Sequence, residues 1–163
     1  IRRLIEAYPE IDTPMPMVLA GPRGWMWNQE VGAALAPLSD AARARIKFTG
    51  YVDRNDLRCL YAGACALVFP SLHEGFGLPA LEAMISGCPV ITSRTSSLPE
   101  VCDEAAVYVD PFERDDIRNA IERVIADAEL RSALAAAGRD RARLFTFENY
   151  LKALGGAYSR ISS

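Results

Sequence analysis

Glu74 and Glu82 stand on either side of Gly75-Phe76-Gly77-Leu78-Pro79, with seven residues between them. Ionised carboxylates only accept hydrogen bonds, which suits the hydroxyls of a sugar or a ribose. Gly75 and Gly77 lack Cβ, so the backbone there can bend sharply and come close to a ligand. Pro79 fits the first turn of a helix. The free N–H groups at such a helix start, with roughly half a positive charge, make an anion site. Two carboxylates beside a phosphate would repel it unless they point at neutral hydroxyls. Charge therefore favours a guest with phosphate in the middle and hydroxyls at both ends, the outline of a nucleotide-sugar. A strand, loop and helix with two glycines and two glutamates also occurs in α/β proteins that hold no ligand there. The pattern alone leaves that alternative open.

Other residues carry weaker signals. His73 is the only histidine, and a general base must reach a proton in flight; a loop histidine is the simpler reading. Arg23 and Arg94 follow strands and could touch phosphate, or be solvated loop arginines. Trp25 and Trp27 could stack on a base, or pack at a helix start. Asp115-Asp116 reads as favourable charge in the first turn of a helix. Cys59, Cys65, Cys88 and Cys102 show no C-x-x-C pairing and no zinc spacing, and read as four buried thiols. No D-x-D triplet is present. No G-x-G-x-x-G follows a strand, which argues against a dinucleotide dehydrogenase.

The elements that must position these groups alternate along the chain. Short apolar runs at 17–20, 46–49, 66–69, 89–92 and 106–109 read as strands. Helical periodicity is expected over 1–8, 28–36, 54–63 with Asp53 as cap, and the segment from Pro79 to Gly87, where glycine fits the C′ position. Three more helices are expected near 114–127, 128–143 and 147–159, the last capped by Thr146 and weakened at Gly155-Gly156 by about 1 kcal/mol per glycine. In the helix after Pro79, Leu78, Leu81 and Ile85 form the expected apolar stripe, with Glu82 at its edge. Strands apolar on both faces, separated by helices, predict one doubly wound, Rossmann-like parallel sheet with helices on both faces. Ligands of such sheets bind outside the carboxyl ends of the strands, which are the loops after Phe69 and Thr92 and those around Gly21 and Gly50.

The chain of 163 residues is one domain by length, spanning 1–163, and buries enough surface to need no staples. A net charge of −3 gives no electrostatic footprint for nucleic acid. No apolar run is long enough to span a bilayer. Because Ile1 opens a helix that should follow a strand, the sheet is expected to lack its first strand.

Glu74 and Glu82 around Gly-Phe-Gly-Leu-Pro resemble the E-x7-E signature of retaining glycosyltransferases of the GT-B fold, group 1 (family 4). The resemblance extends through Leu19-Ala20-Gly21, Phe48-Thr49-Gly50-Tyr51-Val52, Asp56-Leu57, Leu60-Tyr61, Pro70-Ser71, Gly87-Cys88-Pro89-Val90-Ile91, Leu98-Pro99-Glu100-Val101 and Phe145-Thr146-Phe147-Glu148. It implies the carboxyl-terminal, donor-binding half of a two-domain enzyme that transfers sugar with retention, without a metal or other cofactor. By the resemblance Glu74 bonds the donor sugar, Glu82 holds the ribose, and the amides of Gly75, Phe76, Gly77 and Leu78 meet sugar and diphosphate. Tyr51 and Val52 lie along the base, and Thr95, with Ser96 and Ser97, borders the phosphate. The donor expected is GDP-mannose or a UDP-hexose; likeness to envelope-polysaccharide mannosyltransferases favours mannose. The acceptor, a glycan or lipid-linked sugar, belongs to an amino-terminal half. The setting implied is cytoplasmic, at the inner face of a membrane. Family members carry an Arg and a Lys that face the diphosphate, in a segment that would precede Ile1. Without them this chain is expected to bind donor weakly and to turn nothing over. A nucleotide-sugar epimerase and a non-catalytic binding module share the architecture and remain alternatives.

Overall fold

The computed structural model describes residues 1–24 and 27–161. Strands β1 (Met17–Ala20) and β2 (Ile46–Gly50) pair in parallel, with Met17 opposite Ile46. Strands β3 (Leu67–Phe69), β4 (Val90–Ser93) and β5 (Ala106–Val109) form a parallel triplet in that order, with Val90 opposite both Leu67 and Ala106. Among the described residues no ladder joins pair to triplet, so the single sheet expected from sequence is present as two parallel pieces.

Successive strand residues point to opposite faces, and the triplet uses both. Val90 joins a cluster with Ala80, Leu81, Met84, Leu98 and Val101, while its neighbour Ile91 joins another with Leu4, Ile5, Ile117 and Val124. The first face is covered by α5 (Leu78–Ile85), α6 (Leu98–Cys102) and α8 (Ala128–Ala142). The second is covered by α1 (Arg2–Ala7), by α2 (Ala33–Leu35) after a π-helical stretch over Asn28–Gly32, and by α7 (Arg114–Ala126). Every residue of β4 is buried, as a central strand covered on both sides requires. The pair differs from expectation. Val18 is 42% exposed on the face of β1 turned from the core, whereas Phe48, on the same face as buried Ile46, is 39% exposed further along β2.

Local chemistry explains the helix ends. The Asp53 carboxylate accepts from the N–H groups of Asn55 and Asp56 at 2.8 and 3.0 Å and starts α4 (Arg54–Gly63). Thr146 accepts from Asn149 N–H at 3.2 Å and starts α9 (Phe147–Ile161), which runs unbroken through Gly155-Gly156. Two short helices escaped the sequence pattern: α3 (Asp40–Ala44), capped by Ser39, and α6. Each has five residues, too few for a helical period to emerge. Among the described residues no helix is long and apolar enough to cross a membrane.

One contact fixes the helix that carries the candidate site. Helix α8 passes α5 so closely that a Cβ at Gly138 would lie 3.0 Å from Met84 Cγ and 3.5 Å from Met84 Cα. Gly138→Val should therefore cost about 1–3 kcal/mol through overpacking. Gly155→Ala, which meets nothing within 4 Å, should gain up to about 1 kcal/mol from helix propensity. Urea unfolding of the two variants measures both signs.

Candidate functional site

The chain leaves β3 at Phe69, crosses a loop, and enters α5 through Gly77. Gly77 is buried and has φ +96°, the left-handed region; a Cβ there would sit 2.8 Å from Leu98 Cδ2. Only glycine meets both demands. With no side-chain cap, the Gly77 carbonyl accepts from the N–H groups of Ala80 at 3.0 Å and Leu81 at 3.2 Å. Pro79 has no N–H to offer. The amides of Gly75, Phe76, Gly77 and Leu78 bond to no acceptor among the described residues. Those of Gly77 and Leu78 lie at the positive end of an eight-residue helix, with Gly75 and Phe76 just before it. At its other end Gly87, with φ +73°, takes the C′ place expected of it. Its N–H bonds Met84 O at 3.0 Å, and Cys88 N–H bonds Ala83 O at 2.9 Å.

Glu82 is half-buried on α5, but not beside the stripe expected. Ala80, Leu81, Ala83 and Met84 face the core, while Leu78 and Ile85 are each 59% exposed. The close approach of α8 at Met84 selects that face. Among the described residues the Glu82 carboxylate makes no hydrogen bond and no ion pair. Its charge is felt by Tyr61 on α4, whose phenol is pushed up to about 12 by burial first and by Glu82 second.

Glu74 is held at three points by hydroxyls. Its Oε1 accepts from Ser71 Oγ at 2.8 Å, its N–H donates to Ser96 Oγ at 2.9 Å, and its carbonyl accepts from Ser97 Oγ at 3.0 Å. The loop after β4 braces the same segment further back. Thr95 Oγ1 donates to Ser71 O at 3.0 Å, Ser93 Oγ donates to the same carbonyl, and Thr92 Oγ1 donates to Phe69 O at 2.8 Å. Thr95, expected at the phosphate, thus has its proton committed to a carbonyl. Ser71 enters the sequence reading only as part of the family resemblance, and neither it nor Ser93 is assigned a role there. The Ser71–Glu74 bond joins side chains three residues apart in a loop, and no periodic or capping signal announces it.

Tyr51 and Val52 lie at a separate depression of about 640 Å³, lined also by Thr49, Asp53, Asp56, Cys59 and Leu60. Tyr51 is 82% exposed and Val52 half-buried. The loops after β1 and β2 meet there, with Gly21 N–H bonding Gly50 O at 2.9 Å. Glu74, Glu82 and the glycine loop do not line this depression. Helix α4 adjoins both regions, because Leu60 lines the depression and the next residue, Tyr61, senses Glu82.

The remaining candidates fall into structural places. His73 is exposed in the loop. The Arg94 guanidinium stacks 4.3 Å over the Tyr108 ring and that of Arg23 5.4 Å over Trp27. Trp27 meets Phe48 edge to face at 5.1 Å beside the core; Trp25 lies outside the described residues. Asp116 accepts from Asp110 N–H at 2.7 Å, and Asp115 pairs with Arg114 and Arg118 at the start of α7. The four thiols are not alike. Cys88 and Cys102 are buried, with burial raising each to about 11. Cys65 is half-buried, and Cys59 is exposed at the depression beside Tyr51, correcting the expectation of four buried thiols. Among the described residues no three His, Cys, Asp or Glu side chains gather as a metal site.

Comparison with known proteins follows the same residues. The family model for glycosyl transferases group 1 matches residues 1–141. O-antigen chain mannosyltransferase B of Escherichia coli is 40% identical over 153 residues, which is 91% of this chain and 39% of that protein. The carboxyl-terminal domain of a group 1 glycosyl transferase, LpcC of Francisella tularensis, superposes with a TM-score of 0.71 at 30% identity, covering 88% of this chain and 77% of that one. HepE of Anabaena, crystallised with UDP-glucose, shares the fold with a TM-score of 0.82 at 22% identity over 97% of this chain and 44% of its own. The chain spans about two fifths of the length of the E. coli relative.

The Tyr61–Glu82 proximity makes a spectroscopic prediction. Glu82→Gln removes the negative charge and should lower the Tyr61 pKa from about 12, while burial keeps it above the ordinary tyrosine value. Phenolate absorbance, with Tyr61→Phe to assign the signal, reads the shift. A second expectation concerns Gly77. Gly77→Ala places a Cβ in left-handed backbone against Leu98 and should cost at least about 1–2 kcal/mol, measured as a lower urea midpoint.

Proposed function

This chain belongs to the group 1 glycosyl transferases, and we propose that it holds the nucleotide-diphosphate sugar from which a hexose is transferred. The observation that carries this reading is the row of unbonded amides from Gly75 to Leu78, flanked by the carboxylates of Glu74 and Glu82. The diphosphate sits at those amides, where the helix end supplies partial positive charge without a metal. Glu82, with no partner of its own, accepts from the ribose hydroxyls, and Glu74 accepts from the hydroxyls of the sugar. The base extends over Tyr51 and Val52. Thr95 lines the phosphate side through its placement beside Ser71. The donor is GDP-mannose, in keeping with the mannosyltransferase relative, and transfer proceeds with retention to a glycan or lipid-linked acceptor held by another part of the protein.

Calorimetric titration with GDP and GDP-mannose, and with UDP and UDP-glucose in parallel, tests these roles. Glu82→Ala should weaken GDP and GDP-mannose alike by roughly tenfold or more, the worth of a charge-assisted hydrogen bond. Glu74→Ala should leave GDP unchanged and weaken only GDP-mannose. Equal GDP affinity in the parent chain and Glu82→Ala would remove the ribose role. Tighter binding of the uridine ligands would replace the donor.

A further inference from the structure

We infer that Ser71 is the positioning residue that sets the Glu74 carboxylate for the donor sugar. The inference rests on the placement of that sugar at Glu74 proposed above. A glutamate in a glycine-containing loop has free side-chain torsions, and a mobile carboxylate loses affinity to the entropy of being fixed on binding. Here the carboxylate is fixed beforehand. Ser71 Oγ has one proton and two acceptors within reach, Glu74 Oε1 at 2.8 Å and His73 O at 3.3 Å. The carboxylate is nearer and charged, so it takes the proton. That bond occupies Oε1 on one side and leaves Oε2 to accept from a ligand.

Ser71 can aim the carboxylate only if it is itself held, and the loop after β4 does this. The Ser71 carbonyl accepts from both Ser93 Oγ and Thr95 Oγ1, and those two hydroxyls lie 3.0 Å from each other. Ser93 is fully buried at the end of β4. Ser96 is held in left-handed backbone at φ +48°, a costly conformation for a residue with a Cβ. In that conformation its Oγ accepts the Glu74 N–H, while Ser97 Oγ donates to the Glu74 carbonyl. Backbone and side chain of Glu74 are thus located by separate hydroxyls. Ser71 is the one that touches the carboxylate.

The test compares GDP with GDP-mannose by calorimetry in the parent chain, Ser71→Ala, Ser71→Thr and Glu74→Ala, with urea midpoints measured alongside. Ser71→Ala should leave GDP affinity unchanged and weaken GDP-mannose by roughly tenfold. Ser71→Thr, which keeps the hydroxyl, should restore most of that loss. Loss of GDP and GDP-mannose affinity in equal measure would overturn the inference, since it would mark Ser71 as a brace for the loop alone. Parent-like binding of both ligands by Ser71→Ala, while Glu74→Ala loses the sugar increment, would overturn the inference and leave the Glu74 reading standing. Absence of any sugar increment in the parent chain, or its persistence in Glu74→Ala, would overturn the Glu74 reading itself and the inference with it.

Discussion

The turn from β3 into α5 is the constraint on which the rest of the site depends. The chain must reverse from a strand of the triplet into a covering helix while its first amides point away from every internal acceptor. Gly77 does this in left-handed backbone, packed against Leu98 with no room for a Cβ. A serine or aspartate cap at 77 would serve the N–H of the second or third helical residue, but the second is Pro79 and the third, Ala80, already bonds the Gly77 carbonyl at 3.0 Å. The amides from Gly75 to Leu78 lie outside the reach of such a cap, and glycine in place of a capping side chain costs roughly a few tenths of a kcal/mol. The Schellman closure at Gly87 and the close packing of Met84 on Gly138 hold the helix that this open end weakens.

The loops around the turn are stiffened by hydroxyls from one neighbouring strand. Thr92, Ser93, Thr95, Ser96 and Ser97 each bond the segment from Phe69 to Glu74. Parallel strands put their carboxyl ends side by side, so the loop after β4 lies beside the loop after β3. Short hydroxyl side chains suit that gap because each can donate or accept across it. The result is a preorganised edge in which the acidic group at 74 need not be ordered by its ligand. Phe76 adds an apolar anchor, meeting Phe145 edge to face at 5.8 Å between α8 and α9.

Charge is distributed so that the site does not rely on net attraction. The chain carries −3 overall, and the depression at Tyr51 is itself lined by Asp53 and Asp56. Long-range steering of an anionic ligand would be unfavourable under such a field. The proposed donor site relies on short-range geometry, with amides set for the phosphate and carboxylates for hydroxyls. Arg94 and Arg23, which follow the carboxyl ends of β4 and β1, are stacked on Tyr108 and Trp27.

The sequence by itself determined the fold class, the helix caps at Asp53 and Thr146, the glycine stop at Gly87 and the family, because each depends on local residue type and spacing. It also singled out Glu74, Glu82 and the glycine loop, since carboxylates and missing Cβ atoms are legible one residue at a time. Which face of α5 is buried was decided by α8, a neighbour some fifty residues further along the chain; period alone favoured Leu78 and Ile85. The solvent exposure of Cys59, Val18 and Phe48 was decided likewise, by which elements cover α4 and the strand pair and which do not. The grip of the β4 loop on Ser71 and Glu74 joins residues more than twenty positions apart, and hydroxyls carry no periodic signal that would announce such partners. Local preference is written in the order of residues, whereas packing partners and long-range hydrogen bonds exist only once the strands are laid side by side.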